Sequence, residues 1–244
     1  MKKLTKKQSK NYMKKCSKNV NIMKLKVNYL IVLFLFVSVS ISAQTAKSII
    51  DQHLENSGGA AKWRNLNSII LKGDAVWGLD QSFPMTIHHK RPSQKKVVFW
   101  IDGKEMLNEG FDGKNGWTYS EITRKNEIKK DYQPDAFDSD ILDYEKKGFE
   151  AVYTGKSTSE NQECYKVELT KNVNKITYCF STKDYSLLWE ENKEEKLFYY
   201  DYKKFDGLEF ATRMIGKPKD GGEYVIKFYQ IQINPKIEDK VFKF

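Results

Sequence analysis

The run Glu163-Cys-Tyr-Lys-Val-Glu-Leu-Thr-Lys-Asn-Val-Asn-Lys-Ile-Thr-Tyr-Cys-Phe-Ser181 holds the fold in miniature. Tyr165, Val167 and Leu169 alternate with polar residues, Ile176, Tyr178 and Phe180 do the same, and Lys171-Asn-Val-Asn174 lies between. Alternation with period two places one set of side chains on one face of a strand, and a polar turn between two such runs folds them into an antiparallel hairpin. If Val167 and Leu169 share a face with Ile176 and Tyr178, then Cys164 and Cys179 point to the other, more polar face. A two-residue turn at Lys171-Asn172 sets the cysteines directly opposite, and a shift of one turn position sets them diagonal. They form a disulfide or stay as two free thiols according to that register.

Outward from this hairpin the same texture continues. Ile69/Leu71, Phe83/Met85/Ile87, Val98/Trp100, Trp117/Tyr119, Leu197/Tyr199, Phe210/Thr212/Met214 and Tyr224/Ile226/Phe228 all alternate. Asp102-Gly103, Asp112-Gly113, Asn115-Gly116, Asp206-Gly207 and Asp220-Gly221-Gly222 supply the positive φ angles of tight turns between them. Roughly ten strands in a largely antiparallel meander, curled or closed, are expected, with no linker dividing residues 44–244. Two segments break the pattern. Ala46 to Asn56 repeats apolar residues at the helical period behind a Thr45 cap and ahead of Gly58-Gly59. Asp135 to Tyr144 follows Pro134 and spaces Phe137, Ile141 and Tyr144 at i, i+4 and i+7, which predicts a short amphipathic helix ended at Gly148. The fold class is mainly β (α+β), with two helices available to cover one face of a curved sheet.

Residues 1–43 read differently. Tyr29 to Ala43 is an apolar run behind a lysine-rich stretch and ends in a small residue, the pattern of a secretory signal peptide cleaved near Ala43/Gln44. The core is too short to span a bilayer. Met23-Lys-Leu-Lys26 makes a more ordinary start than Met1. The leader holds ten lysines and no acid; 42 basic residues less these ten leaves 32, which equals the acidic count of 32, so the formal charge of +10 belongs to the leader. The mature chain is near neutral, and nucleic acid is not an expected partner. No cysteine stands at the cleavage point, so a released, unanchored protein is expected.

Catalytic patterns are absent. The three histidines are His53, on the apolar stripe of the first helix, and the adjacent His88 and His89, which a strand points to opposite faces. There is no His-x-x-x-His, Cys-x-x-Cys, Gly-x-Ser-x-Gly or phosphate-cradling glycine loop. The reading is of a protein without catalytic residues, metal or cofactor. The positive signal is aromatic: Trp77, Trp100, Trp117 and Trp189 lie on strands and supply a wide apolar concave face that the chain need not fill itself.

Specific residues then resemble a known family. His89-Lys-Arg-Pro92, a strand, and Phe111-Asp-Gly-Lys-Asn-Gly-Trp-Thr-Tyr119 are similar to a segment of periplasmic lipoprotein carriers of the LolA type. Gly58-Gly59, Phe137-Asp-Ser139, Leu142-x-Tyr144-x-x-Lys147-Gly148, Tyr202-x-Lys-x-x-Asp206-Gly-Leu-x-Phe210 and the terminal Ile233-Asn, Ile237-x-Asp239 and Phe242 resemble the outer-membrane lipoprotein-sorting branch. The resemblance covers residues 46–244, with a long aspartate-rich insertion around residues 131–148 as a departure. It implies an unclosed β-barrel with the helices as a lid, and a monomeric periplasmic carrier for lipoprotein acyl chains or envelope lipids, passed between membrane donor and acceptor proteins. It implies an apolar lining from Trp77, Met85, Trp100 and Trp117, with Phe137, Ile141 and Leu142 on the lid. The same fold also serves envelope sensors and scaffolds that bind a protein partner.

Overall fold

The structure, a computed structural model, describes residues 44–78, 81–134 and 136–244. The expected leader, its two candidate starts and its cleavage signal lie outside them.

Helix α1, Ala46–Asn56, is capped as its sequence suggests: the Thr45 hydroxyl accepts from Ser48 N at 3.1 Å, and Ser48 reciprocates toward the Thr45 backbone. Its buried residues are Ala46, Ile49 and Ile50. Gly58 then adopts φ +123°, and a Cβ there would collide with the carbonyl oxygen of Gly207, so only glycine lets the chain turn so close to the sheet. A five-residue helix α2, Ala60–Arg64, follows.

Thirteen strands come next: β1 Ser68–Trp77, β2 Gln81–Lys90, β3 Gln94–Ile101, β4 Lys104–Phe111, β5 Gly116–Ser120, β6 Lys125–Lys129, β7 Glu150–Ser159, β8 Gln162–Lys171, β9 Asn174–Ser181, β10 Leu187–Glu191, β11 Glu195–Phe205, β12 Leu208–Pro218 and β13 Tyr224–Ile233. They form one antiparallel sheet in the order β6-β5-β4-β3-β2-β1-β13-β12-β11-β10-β9-β8-β7, which does not close into a barrel. Only the β1–β13 pairing joins strands distant in sequence. The sheet is therefore two meanders sewn together at the chain's first and last strands. This topology has a direct consequence for residues 130–149. They link β6 to β7, which are the two outermost strands, so the connection must travel from one edge of the sheet to the other.

That connection is not the helix its apolar spacing predicts. Residues 136–148 form a succession of turns, closed by Leu142 N to Ser139 O at 3.1 Å, Lys147 N to Asp143 O at 3.1 Å and Phe149 N to Tyr144 O at 2.9 Å. Short polar side chains explain the difference. The Ser139 hydroxyl accepts from Ile141 N at 3.3 Å, and Asp143 sits at φ +54°, where a right-handed helix cannot continue. Asp138 and Asp143 are also drawn into ion pairs with distant arginines.

The opening hairpin forms with Asn172-Val173 as its two-residue turn and Lys171 opposite Asn174. Cys164 then faces Ser181 and Cys179 faces Lys166, the diagonal arrangement, and the two are joined by a disulfide with Cα atoms 5.5 Å apart. The face they occupy is less polar than its sequence suggests. Both cysteines are fully buried with Trp189 against Leu188 and Phe198, and the Lys196 ammonium lies 3.7 Å from the Trp189 ring centre. Of the strands that alternation did not mark, β6 is exposed throughout and carries one apolar residue, Ile128.

Two hydrophobic centres occupy the sheet's other face. One joins Ile49 and Ile50 of α1, and Ile141 and Tyr144 of the connection, to Val167, Leu169, Tyr178 and Phe180 of β8 and β9. The second gathers Ile69, Phe228 and Ile231 of β1 and β13 with Phe137, Phe210 and Met214 around them.

Candidate functional site

Between these two centres the packing is incomplete. A cavity of about 410 Å³ is bounded by α1 and α2 (His53, Leu54, Trp63), by Phe137, Ile141 and Leu142 of the connection, and by β1 and β10–β13. The walls are largely aliphatic and aromatic: Ile69 and Leu71 from β1, Phe210 and Met214 from β12, Phe228 from β13. Trp63 stacks edge-on against Phe210, ring centres 5.0 Å apart, and its indole N–H donates to the Ser57 hydroxyl at 3.0 Å.

The connecting segment is fastened over this cavity by two arginines. Arg91, at the turn after β2, donates from Nη1 and Nη2 to the two carboxylate oxygens of Asp138, each at 2.6 Å, and from Nε to the Leu66 carbonyl at 2.6 Å. Its guanidinium also lies 4.7 Å from the centre of the Phe137 ring, which in turn sits 4.7 Å from His89. Arg64, the last residue of α2, pairs with Asp143 through two bonds of 2.8 Å and holds that carboxyl well below the usual range, at about 2. Lys147 closes the segment on itself by donating to Ser139 O at 2.6 Å.

The residues expected to line a cavity divide sharply. Phe137, Ile141 and Leu142 come together on its wall. The four others do not reach it. Met85 is buried against Ala75 and Val97, where it fills the interior. Trp77 is at the end of β1 among Phe83, Phe99 and Tyr224 and remains 39 % exposed. Trp100 is 44 % exposed, because β3 runs in the opposite phase from that expected: Phe99, not Trp100, pairs with Met85. Trp117 donates to Asp112 at 3.0 Å and packs beside Phe244 of the C-terminal segment.

One corner of the cavity is polar, and sequence reading missed it. Glu190 of β10 stands opposite Tyr178 of β9, and Tyr199 and Tyr202 of β11 line the same wall. The Tyr199 hydroxyl lies beside Glu190, and Tyr202 donates to the Leu187 carbonyl at 2.7 Å. Burial, reinforced by the charges of Asp140 and Glu195 and opposed by the Tyr199 hydroxyl, pushes the Glu190 carboxyl up to about 7. Burial likewise raises the phenols of Tyr178, Tyr199 and Tyr202 and lowers the His53 imidazole, whose Nδ1–H donates to Tyr185 O at 2.8 Å. Tyr199 and Tyr202 are three residues apart yet share a wall, with Asp201 between them at φ +56°.

Among the described residues no group of three His, Cys, Asp or Glu could hold a metal ion. A second depression, of about 560 Å³, lies beside Trp189 and is lined mainly by charged and polar side chains such as Lys166, Lys175, Glu191 and Lys219. Its apolar wall is confined to Phe149, Val173, Ile176 and Trp189.

Structural comparison places this architecture. A LolA superfamily protein from Nitrosomonas europaea superposes with a TM-score of 0.55 at 13% identity, covering 82% of this chain and 98% of that one. The fold is LolA-like. A DUF1329 family protein from Desulfovibrio piger gives 0.56 at 14% identity, with 81% and 97% covered. A structure assigned as an outer membrane lipoprotein-sorting protein domain, from Vibrio parahaemolyticus, gives 0.53 at 10% identity, with 80% and 94% covered. No family model and no curated protein sequence matches the chain. In this LolA-like fold the cavity lies between the unclosed sheet and the two helices with the edge-to-edge connection.

Proposed function

We propose that this protein is a carrier that shelters an acyl chain of a lipoprotein or envelope lipid in the 410 Å³ cavity and moves it through the periplasm toward the outer membrane. The observation that carries the reading is the cavity itself, apolar on most of its wall and covered by a segment fastened through side-chain ion pairs. The LolA-like fold supports it, as does the leader pattern in residues 1–43.

The energetics suit a carrier. A methylene occupies about the space of a water molecule, ~30 Å³, so the cavity takes on the order of a dozen. At about 0.8 kcal/mol per methylene, sheltering them from water is worth roughly 10 kcal/mol. A carrier must also release its cargo, and the connection provides the means: Phe137 and Ile141 cover the cavity when it is empty and move aside when it is loaded, so that cover and cargo compete for one surface. The proposal includes no catalytic step.

Native mass spectrometry of the protein isolated from a periplasm without detergent, followed by lipid extraction, tests the reading. An acyl-bearing adduct near one-to-one is expected. A bare mass that persists after incubation with lipid vesicles and lipopeptides would overturn it.

A further inference from the structure

The cavity's charged residues are unusual for a site meant only to be greasy. Its lining includes Asp138, Glu190 and Glu209 and neither lysine nor arginine. Asp138 is neutralised by Arg91; of the two that remain, Glu209 lies near Tyr202 at the start of β12, and Glu190 stands opposite Tyr178 and beside Tyr199 on the inner wall. A carboxylate has about four acceptor sites. Its neighbours, Tyr199 and Tyr202 on the wall and Tyr178 opposite it on β9, bring phenols rather than cations. A buried acceptor of this kind, inside a cavity with aliphatic walls, is a costly feature unless something with a donor meets it.

Resting on the acyl-carrier reading, we propose that Glu190 is the polar anchor of the cavity: it receives a hydrogen bond from the donor end of a single-chain amphiphile, a hydroxyl, an amide N–H or an ammonium, and it turns away a chain of equal length that ends in a carboxylate. The volume supports one chain of about twelve carbons rather than several. The charge supports the selectivity, since an anionic end group placed beside Glu190 would meet a like charge with no cation on the wall to offset it. The titratable groups facing or near Glu190 are Tyr178 of β9, Tyr199 and Tyr202 of β11, Tyr224 of β13, His53 of α1, Glu209 of β12, Glu195 at the start of β11 and Asp140 of the connection; none is a lysine or arginine.

The test is calorimetric titration of the purified protein at pH 8.5, where Glu190 is ionised, with 1-dodecanol, dodecylammonium and dodecanoate, each below its micellar concentration. The alcohol and the ammonium should bind at least tenfold more tightly than dodecanoate, and the ratio between those two separates a neutral donor from a cationic one. Glu190→Gln should bring dodecanoate to within threefold of the alcohol. Tyr199→Phe, which removes the competing donor and keeps the carboxylate, should preserve the discrimination. Equal binding of all three ligands by the unaltered protein, or discrimination that survives Glu190→Gln, would overturn the anchor while leaving acyl carriage intact. Binding of none of the three would overturn carriage and the anchor together.

Discussion

Arg91 and Asp138, 47 residues apart in sequence, meet in a two-bond guanidinium–carboxylate pair with both distances at 2.6 Å. This pair ties the end of β2 to the segment that crosses from one sheet edge to the other. Asp138→Asn should keep the shape of the side chain and lose the charge-assisted pair. We expect a stability loss of about 1–2 kcal/mol. Amide hydrogen exchange should accelerate across residues 136–148 while α1 stays protected. Unchanged exchange in that segment would show that the pair does not hold it down.

Phe137→Glu tests the cover itself. The ring lies between Arg91 and His89 at the cavity wall, so a carboxylate there places charge at the site of apolar contact. Lipid retention should be lost while the far-ultraviolet circular dichroism stays the same. Retention equal to that of the unaltered protein would sink the idea that Phe137 takes part in loading.

Glu190 makes stability depend on pH in a definite direction. Its carboxyl is raised from 4.5 to about 7 in the folded chain. Between those values the folded state binds more protons than the unfolded one, so stability falls as pH rises through that window. Below pH 4.5 both states are protonated and the penalty vanishes; above pH 7 it is complete. Denaturant midpoints should show Glu190→Gln more stable than the unaltered protein at pH 8, by up to about 3 kcal/mol, and no different near pH 4.5. A constant offset at every pH would mean that Glu190 is not buried as described.

The disulfide between Cys164 and Cys179 closes a loop with a sequence separation of 15. Loop-closure entropy assigns such a link about 3 kcal/mol. For a chain of this length that corresponds to a fall in melting temperature of roughly 6–12 °C. Thermal denaturation of a Cys164→Ala, Cys179→Ala double variant reads it directly, and an unchanged melting temperature would show that the buried Trp189 cluster suffices without the link.

The legibility of this chain followed the strength of its periodicities. Helix α1 and hairpins such as β8–β9 could be read because alternation, capping and turn residues agree locally. The segment 136–148 misled because apolar spacing at 3.6 residues was satisfied by Phe137, Ile141 and Tyr144, whereas its backbone obeys Ser139 and Asp143, whose hydrogen bond and positive φ favour turns. Trp100 belongs on the lining by the family resemblance and by its alternation with Val98, but the phase of β3 is set by Val97 and Phe99 packing with Met85. Glu190 and Tyr202 were invisible for a different reason. Their shared wall includes irregularities, a register shift in β10 and the positive φ of Asp201, that no strict period-two reading can place.

The unclosed sheet leaves two strands with a row of backbone donors and acceptors unpaired by any neighbouring strand among the described residues. Such rows are templates on which other copies of a chain can polymerise. Here each is blunted. β6 is five residues long and begins and ends in lysine, and β7 is broken by a register shift between Tyr153 and Gly155 and followed at once by Lys156. Shortness, charge and a bulge are the devices that stop edge-to-edge growth. The openness of the sheet and the protection of its two edges are thus written into the same strands.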